Sequence, residues 1–303
     1  MEKYNFVGKN LTPEIKEGFS EKLDQKRQKG LETSFENEVT KTPEDLEIIK
    51  KVEISLNEEL KELNLPADVV LDPKEVHFLK EGFLVNKGHY DPKDQQIKFY
   101  AEENSVRIII KKIIRKSTSL RDYSFSIILH ETIHKHSPQK HEIINRDTPE
   151  IRTLGTGYGS YSKKRKENIF KGFNEAVVQR IVVDITQKIN NNNLDEVYKT
   201  FRTYERQINV VDLIAEKIAK MKKETKEEVW KRFKRGEFTG EMMHLRDVEE
   251  AFGPHSLEIL AVMGGGEISK SFLEYFITED LSQREKIGKK IISRKKFKLF
   301  LKG

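Results

Sequence analysis

The spacing of apolar residues divides this chain into a mixed helix-and-strand middle and a helical remainder. From Thr42-Pro43-Glu44-Asp45, a good helix start with proline in the first turn, Leu46, Ile49, Val52, Leu56 and Leu60 recur at helical intervals, and the run stops near Leu65-Pro66. Val69-Val70-Leu71 and Val76-His77-Phe78-Leu79 read as strand or edge segments. Phe83 to Tyr90 and Gln96 to Tyr100, joined by Asp91-Pro92-Lys93-Asp94, read as a β-hairpin. Val106 to Ile114 is rich in β-branched residues, but its isoleucines fall at helical spacing, which favours a helix.

Two further helices follow. The first starts at Ser119-Leu120-Arg121-Asp122, close to a capping box, and ends at Ser137-Pro138, where proline cannot continue it. Phe125, Ile128, Leu129 and Thr132 form its buried stripe, while Tyr123, Ile127, His130 and His134 share the adjoining face. The second, over residues 172–189, is strongly apolar, with Arg180, Asp184 and Gln187 as its solvent stripe. Beyond Asn190-Asn191-Asn192-Asn193, amphipathic spacing returns over 194–221 and 223–233. Short helices over 247–252 and 256–263 and a final set from Phe272 complete it. Residues 1–41 have few apolar positions and read as a flexible or loosely helical arm. The expected layout is α+β: an arm over 1–41, a domain over 42–193, and a helical subdomain over 194–303 with a basic tail.

His130-Glu131-Thr132-Ile133-His134 turns this layout toward chemistry, because it matches the H-E-x-x-H pattern of zinc-dependent hydrolases. Residues four apart share a helix face, so both imidazoles can reach one Zn2+, and Glu131 can touch a water there without ligating the metal. The chemistry needs that division: a Lewis acid lowers the water's pKa from about 16 to roughly 7, and a carboxylate takes its proton. The bland counterpart is a helix with two surface histidines, though 8 His in 303 residues make a chance match rare.

A catalytic zinc usually takes three protein ligands. His136 and His141 lie just downstream, but the Pro138 turn would have to deliver the latter. Gly172-Phe173-Asn174-Glu175-Ala176-Val177-Val178-Gln179 offers a better candidate. Glu175 points away from the solvent stripe of its helix, and Gln179 shares its side. An ionised carboxylate on an inward face is costly unless it is paired or bound to a metal. A buried salt bridge would answer the same cost.

Segments 127–136 and 172–179 together resemble the gluzincin group of metallopeptidases, in which a second helix carrying N-E supplies a glutamate ligand. The resemblance implies a gluzincin-like core, with His130, His134 and Glu175 as zinc ligands. It also implies Glu131 as general base in the hydrolysis of a peptide or protein substrate. There are three departures. The gap from His134 to Glu175 is longer than in thermolysin-like enzymes, Gln179 stands where a second acidic residue is common, and Lys135 occupies a position that is usually uncharged.

Between the two helices, Ile151 to Ser162 alternates glycine with Thr and Tyr, suggesting an extended strand that another backbone can approach. It is a candidate edge for pairing with an extended substrate. Tyr158 or Tyr161 is then either a donor to the developing oxyanion or an ordinary hairpin tyrosine, the reading that strand propensity favours. His77 and His89 lack partners at metal spacing and read as structural; His244 and His255 read as surface or capping residues.

Charge adds less than the pI near 9.0 suggests. The 56 basic and 50 acidic residues are interleaved, and no nucleic-acid or phosphate-loop signature occurs, so no nucleic-acid partner is expected. The exception is the tail, where Lys286 to Lys302 alternates lysines with Ile291, Phe297 and Leu301. It reads as a surface for an acidic partner or anionic membrane, or as a last helix with a lysine-rich outer face. With 35% charged residues, mean hydropathy −0.67 and no apolar stretch near the roughly 20 residues a bilayer span needs, a cytoplasmic protein without a transmembrane segment is expected. The absence of cysteine excludes disulfides, cysteine zinc sites and thiol catalysis. The leading expectation is a zinc metallopeptidase. The alternative is a non-catalytic zinc-containing binding or regulatory protein that recognises an acidic partner.

Overall fold

A computed structural model describes residues 4–7, 11–31, 38–79, 88–91, 96–100, 120–145, 150–162, 167–189, 205–263 and 270–300. The chain forms two compact units, one of residues 1–156 and 182–200, the other of 157–181 and 201–303. The architecture is α+β.

In the first unit, α2 (Pro43–Glu62) begins at the expected helix start, which the structure shows to be a capping box. Thr42 Oγ1 accepts from the Asp45 amide at 3.2 Å, and the Asp45 carboxylate accepts from the Thr42 amide at 2.8 Å. Ile49, Val52, Leu56 and Leu60 are buried, but Leu46 is 43% exposed and Ile48 takes its place in the core. The apolar stripe is therefore turned slightly from the one read off the spacing. α2 packs on α3 (Leu120–His136), which in turn packs on β3 (Gly88–Asp91) and β4 (Gln96–Tyr100). These strands form a sheet of order β2-β4-β3, with β2 (Val76–Leu79) parallel and β3 antiparallel to β4. The expected hairpin is thus present as β3 and β4. Val69 to Leu71 forms no strand, because side chains of α2 take its backbone groups. Asn57 bonds both the amide and the carbonyl of Val69, and Glu53 accepts from the Leu71 amide.

A second sheet has order β1-β5-β6: β1 (Tyr4–Val7) runs parallel to β5 (Gln139–Asn145), and β6 (Glu150–Thr156) antiparallel to it. Residues 1–41, expected as a flexible or loosely helical arm, thus contribute a paired strand. They also contribute α1 (Pro13–Leu31), whose Phe19 and Leu23 form a core cluster with Tyr4 and Phe6. Average composition hides so small a cluster.

Among the described residues the second unit is helical apart from the hairpin β7 (Ser160–Ser162) and β8 (Glu167–Ile169). α4 (Lys171–Ile189) continues across the division at residue 181, and its Phe173, Val177, Val178 and Ile181 are fully buried. The stripe expected to face solvent is only part exposed, and Arg180 pairs with Asp212 at 3.3 Å. α5 (Glu205–Lys222), α6 (Lys226–Thr239), α7 (Arg246–Phe252), α8 (Ser256–Ala261) and α9 (Lys270–Ile277) follow. The last helix, α10 (Leu281–Phe300), buries Arg284, Gly288 and Ile291. A Cβ at Gly288 would lie 3.0 Å from Ile259 and 3.1 Å from Tyr275, so glycine permits this close approach. Lys286, Lys289 and Lys290 stay exposed, so over its described part the basic tail is a packed helix with a lysine-rich outer face. Among the described residues no helix is long and apolar enough to cross a membrane. The helix expected over 106–114 and the turns over 163–166 and 190–193 lie outside the described residues.

Thr42→Ala should lower the unfolding free energy by about 1 kcal/mol. The expected readout is a lower urea midpoint with an unchanged denaturant slope; an unchanged midpoint would show that the cap does not stabilise the fold.

Candidate metal centre

α3 ends as its sequence requires. The Ser137 amide and hydroxyl both bond the Ile133 carbonyl at 2.9 Å, and Pro138 follows. Ile128, Leu129, Thr132 and Ile133 are fully buried. One turn apart on this helix, His130 and His134 are each 8% exposed, with their Nε2 atoms 3.1 Å apart and their rings at 74°. Glu131 is half-buried beside them.

Glu175 completes the group from the first turns of α4. One nitrogen from each imidazole and one Glu175 carboxylate oxygen all lie within 4.8 Å of one another. Donors bound at about 2.1 Å around a tetrahedral ion stand roughly 3.4 Å apart, so the 3.1 Å between the imidazole nitrogens fits a shared divalent cation. The donor chemistry fits as well, since two neutral nitrogens and a carboxylate suit a borderline ion such as zinc. A metal ion can therefore be held by His130, His134 and Glu175, the three residues singled out by the sequence pattern.

The competing histidines are engaged elsewhere. His136 Nδ1 sits 2.9 Å from the Thr132 carbonyl of its own helix. His141 is fully buried on β5, 3.2 Å from Gln139 Oε1 and packed against the rings of Tyr4 and Phe6. His77 lies 3.0 Å from Glu38, a structural contact. His89 lies on β3, its side chain outside the described part. Gln179 is buried one turn beyond Glu175.

Lys135, the charge that looked out of place, points into the protein. It forms a buried ion pair with Glu75, which is itself fully buried at the short turn Pro73–Glu75 before β2. The pair anchors α3 beside His134 to that turn.

Tyr158 is tied into the fold. It sits in the turn between β6 and β7, fully buried, and its hydroxyl donates to the Phe233 carbonyl at 2.8 Å. His244 Nε2 lies 2.6 Å from the same hydroxyl. With the phenol donating to the Phe233 carbonyl, His244 supplies its Nε2–H to the phenol oxygen. Burial, reinforced by the charges of Glu237 and Glu241, holds the Tyr158 phenol well above its usual range. Tyr158 is therefore a structural residue, and its hydroxyl is committed away from any oxyanion. Tyr161 lies on β7, its side chain outside the described part.

His244 is half-buried and central to this network, not the surface or capping residue expected; a lone histidine after Met242-Met243 carries no signal of that in sequence. His255 does lie at the surface, its side chain 49% exposed before α8. Gly157 is also required: its φ is +51°, and a Cβ there would overlap the Glu237 carboxylate. Asn174, passed over in the sequence reading, accepts from the amides of Tyr158 at 2.7 Å and Gly159 at 3.2 Å. No protein-family model, curated protein or solved structure matches this chain.

Lys135→Met leaves the Glu75 carboxylate buried without its ammonium and should destabilise the protein by about 3–5 kcal/mol. Lys135→Met with Glu75→Gln should recover most of that loss in the same denaturation experiment; equal cost in single and double variants would exclude the pair as an anchor.

Burial, with help from Arg232, lowers the His244 pKa to about 4. The unfolded imidazole protonates near pH 6.5 and the folded one does not, so this stabilisation is present above pH 6.5 and fades as pH falls toward about 4. The loss should approach roughly 3 kcal/mol, and His244→Gln should flatten that part of the stability–pH curve. An unchanged curve in the variant would exclude His244 as its source.

Proposed function

We propose that this chain is a zinc-dependent peptidase of gluzincin type, acting on an extended peptide or protein segment in the cytoplasm. The observation that carries the reading is the convergence of His130, His134 and Glu175, with Glu131 next to the first of them. Bound zinc supplies Lewis acidity, which polarises a carbonyl and acidifies water enough for attack near neutral pH. Glu131 is the general base: its carboxylate takes the proton of the attacking water and hands it to the departing amine. A half-buried carboxylate suits both steps, since its residue follows a metal-binding histidine directly and keeps access to water.

Backbone pairing supports a peptide as substrate. Among the described residues β3 is paired on one side only, and it packs on the helix that carries the histidines. An extended peptide can add to that edge through main-chain bonds. β6, the edge expected from sequence, is likewise paired on one side, but it belongs to the β1-β5-β6 sheet. The interleaved surface charges give no reason to add a nucleic acid to the partners.

Zinc stoichiometry and hydrolysis of a peptide library test the reading together. Wild type should bind about one zinc per chain. Glu175→Ala should lose it, and Glu131→Gln should keep it while hydrolysis falls by about 10²–10⁴-fold. A metal-replete wild type that cleaves nothing would favour a zinc-containing binding protein. Undiminished hydrolysis by Glu131→Gln would exclude the assigned base.

A further inference from the structure

Glu175 occupies the fifth residue of α4, in the part of a helix that has few backbone bonds of its own and frays most readily. A ligand there is only as well placed as the contacts that hold the helix start. Three sets of contacts converge on it. Phe170 adopts a left-handed φ of +57°, and its amide bonds the Ala261 carbonyl at 2.9 Å, while the Gly172 amide bonds the Met263 carbonyl at 3.0 Å. Phe173 lies edge-on to the Tyr158 ring at 5.0 Å. Asn174, 4% exposed, accepts from the amides of both Tyr158 and Gly159 through one oxygen.

The last contact differs from the others because it acts on the residue joined directly to Glu175. The amides it engages belong to a turn that is itself immobilised by the buried phenol of Tyr158. Rotation of the first turns of α4 would break both hydrogen bonds and swing the carboxylate away from the imidazoles.

We propose that Asn174 is a positioning residue that sets Glu175 for metal binding by clamping the start of α4 to the Tyr158–Gly159 turn. The inference rests on the metal-site reading above and extends it to a residue that touches no metal. Loss of such a supporting contact lowers metal affinity by about 10–100-fold.

Zinc alone is the probe, titrated against a chelator of known affinity at a temperature where all variants give the wild-type circular dichroism spectrum. Asn174→Ala should bind zinc about 10–100-fold more weakly than wild type. Thr225→Ala is the stability control: it removes the capping box of α6, in which Thr225 Oγ1 accepts from the Glu228 amide at 3.2 Å. It should bind zinc as wild type does. Wild-type affinity in folded Asn174→Ala, or an equal loss in Thr225→Ala, would overturn the clamp. Should Asn174→Ala not fold, amide exchange in the wild type decides. Because coupling is reciprocal, zinc should slow exchange of the Tyr158 and Gly159 amides, and unchanged rates would overturn the proposal. A wild type that binds no zinc would overturn the metal site itself, and the clamp with it.

Discussion

Three electron-rich atoms brought within 4.8 Å of one another are the constraint on which this structure turns. Two imidazole nitrogens and a carboxylate oxygen so placed can share a proton or a cation, and the backbone sets where they stand. Helix periodicity accounts for two of the three, because residues 130 and 134 lie one turn apart on a single helix. The third comes from a different helix and relies wholly on how that helix is held. The apolar bulk of α4 serves this purpose: Phe173, Ala176, Val177 and Val178, on either side of Glu175, are all fully buried.

The polar groups around the site are anchors more than reagents. Lys135 and Glu75 form an ion pair whose desolvation costs as much as it returns in stability, but breaking one side is severe. Such a pair restricts orientation more than it adds net free energy. Tyr158 follows the same logic. Its phenol proton is given to Phe233, its oxygen faces His244, and its amide is held by Asn174, so the residue joins α4, α6 and the turn before α7. A hydroxyl so engaged has no proton left for chemistry, which is why a tyrosine at a suggestive position in sequence became a post in the fold.

Much of the layout was legible in sequence, for reasons that vary by element. α2 declared itself through Thr42 and Asp45, because a capping box is a contact between residues three apart. α3 and α4 were bounded to within about two residues, because proline and a long apolar run act locally. Val69 to Leu71 was misread since a β-rich tripeptide cannot show that Asn57 and Glu53 will take its backbone groups. The strand at Tyr4–Val7 was illegible in the same way, because its partner lies more than a hundred residues downstream in β5.

The sequence by itself determined the two histidines one turn apart, the glutamate next to the first of them and the inward direction of Glu175. Each follows from helical spacing and from the cost of burying charge. Only the tertiary structure decided that Glu175 meets the histidines while His141 does not, that Lys135 faces a buried glutamate, and that Tyr158 and His244 serve each other. Those outcomes depend on contacts between segments about 40 to 90 residues apart. No local pattern encodes which distant side chain will arrive, since that is set by how the apolar faces of whole helices pack.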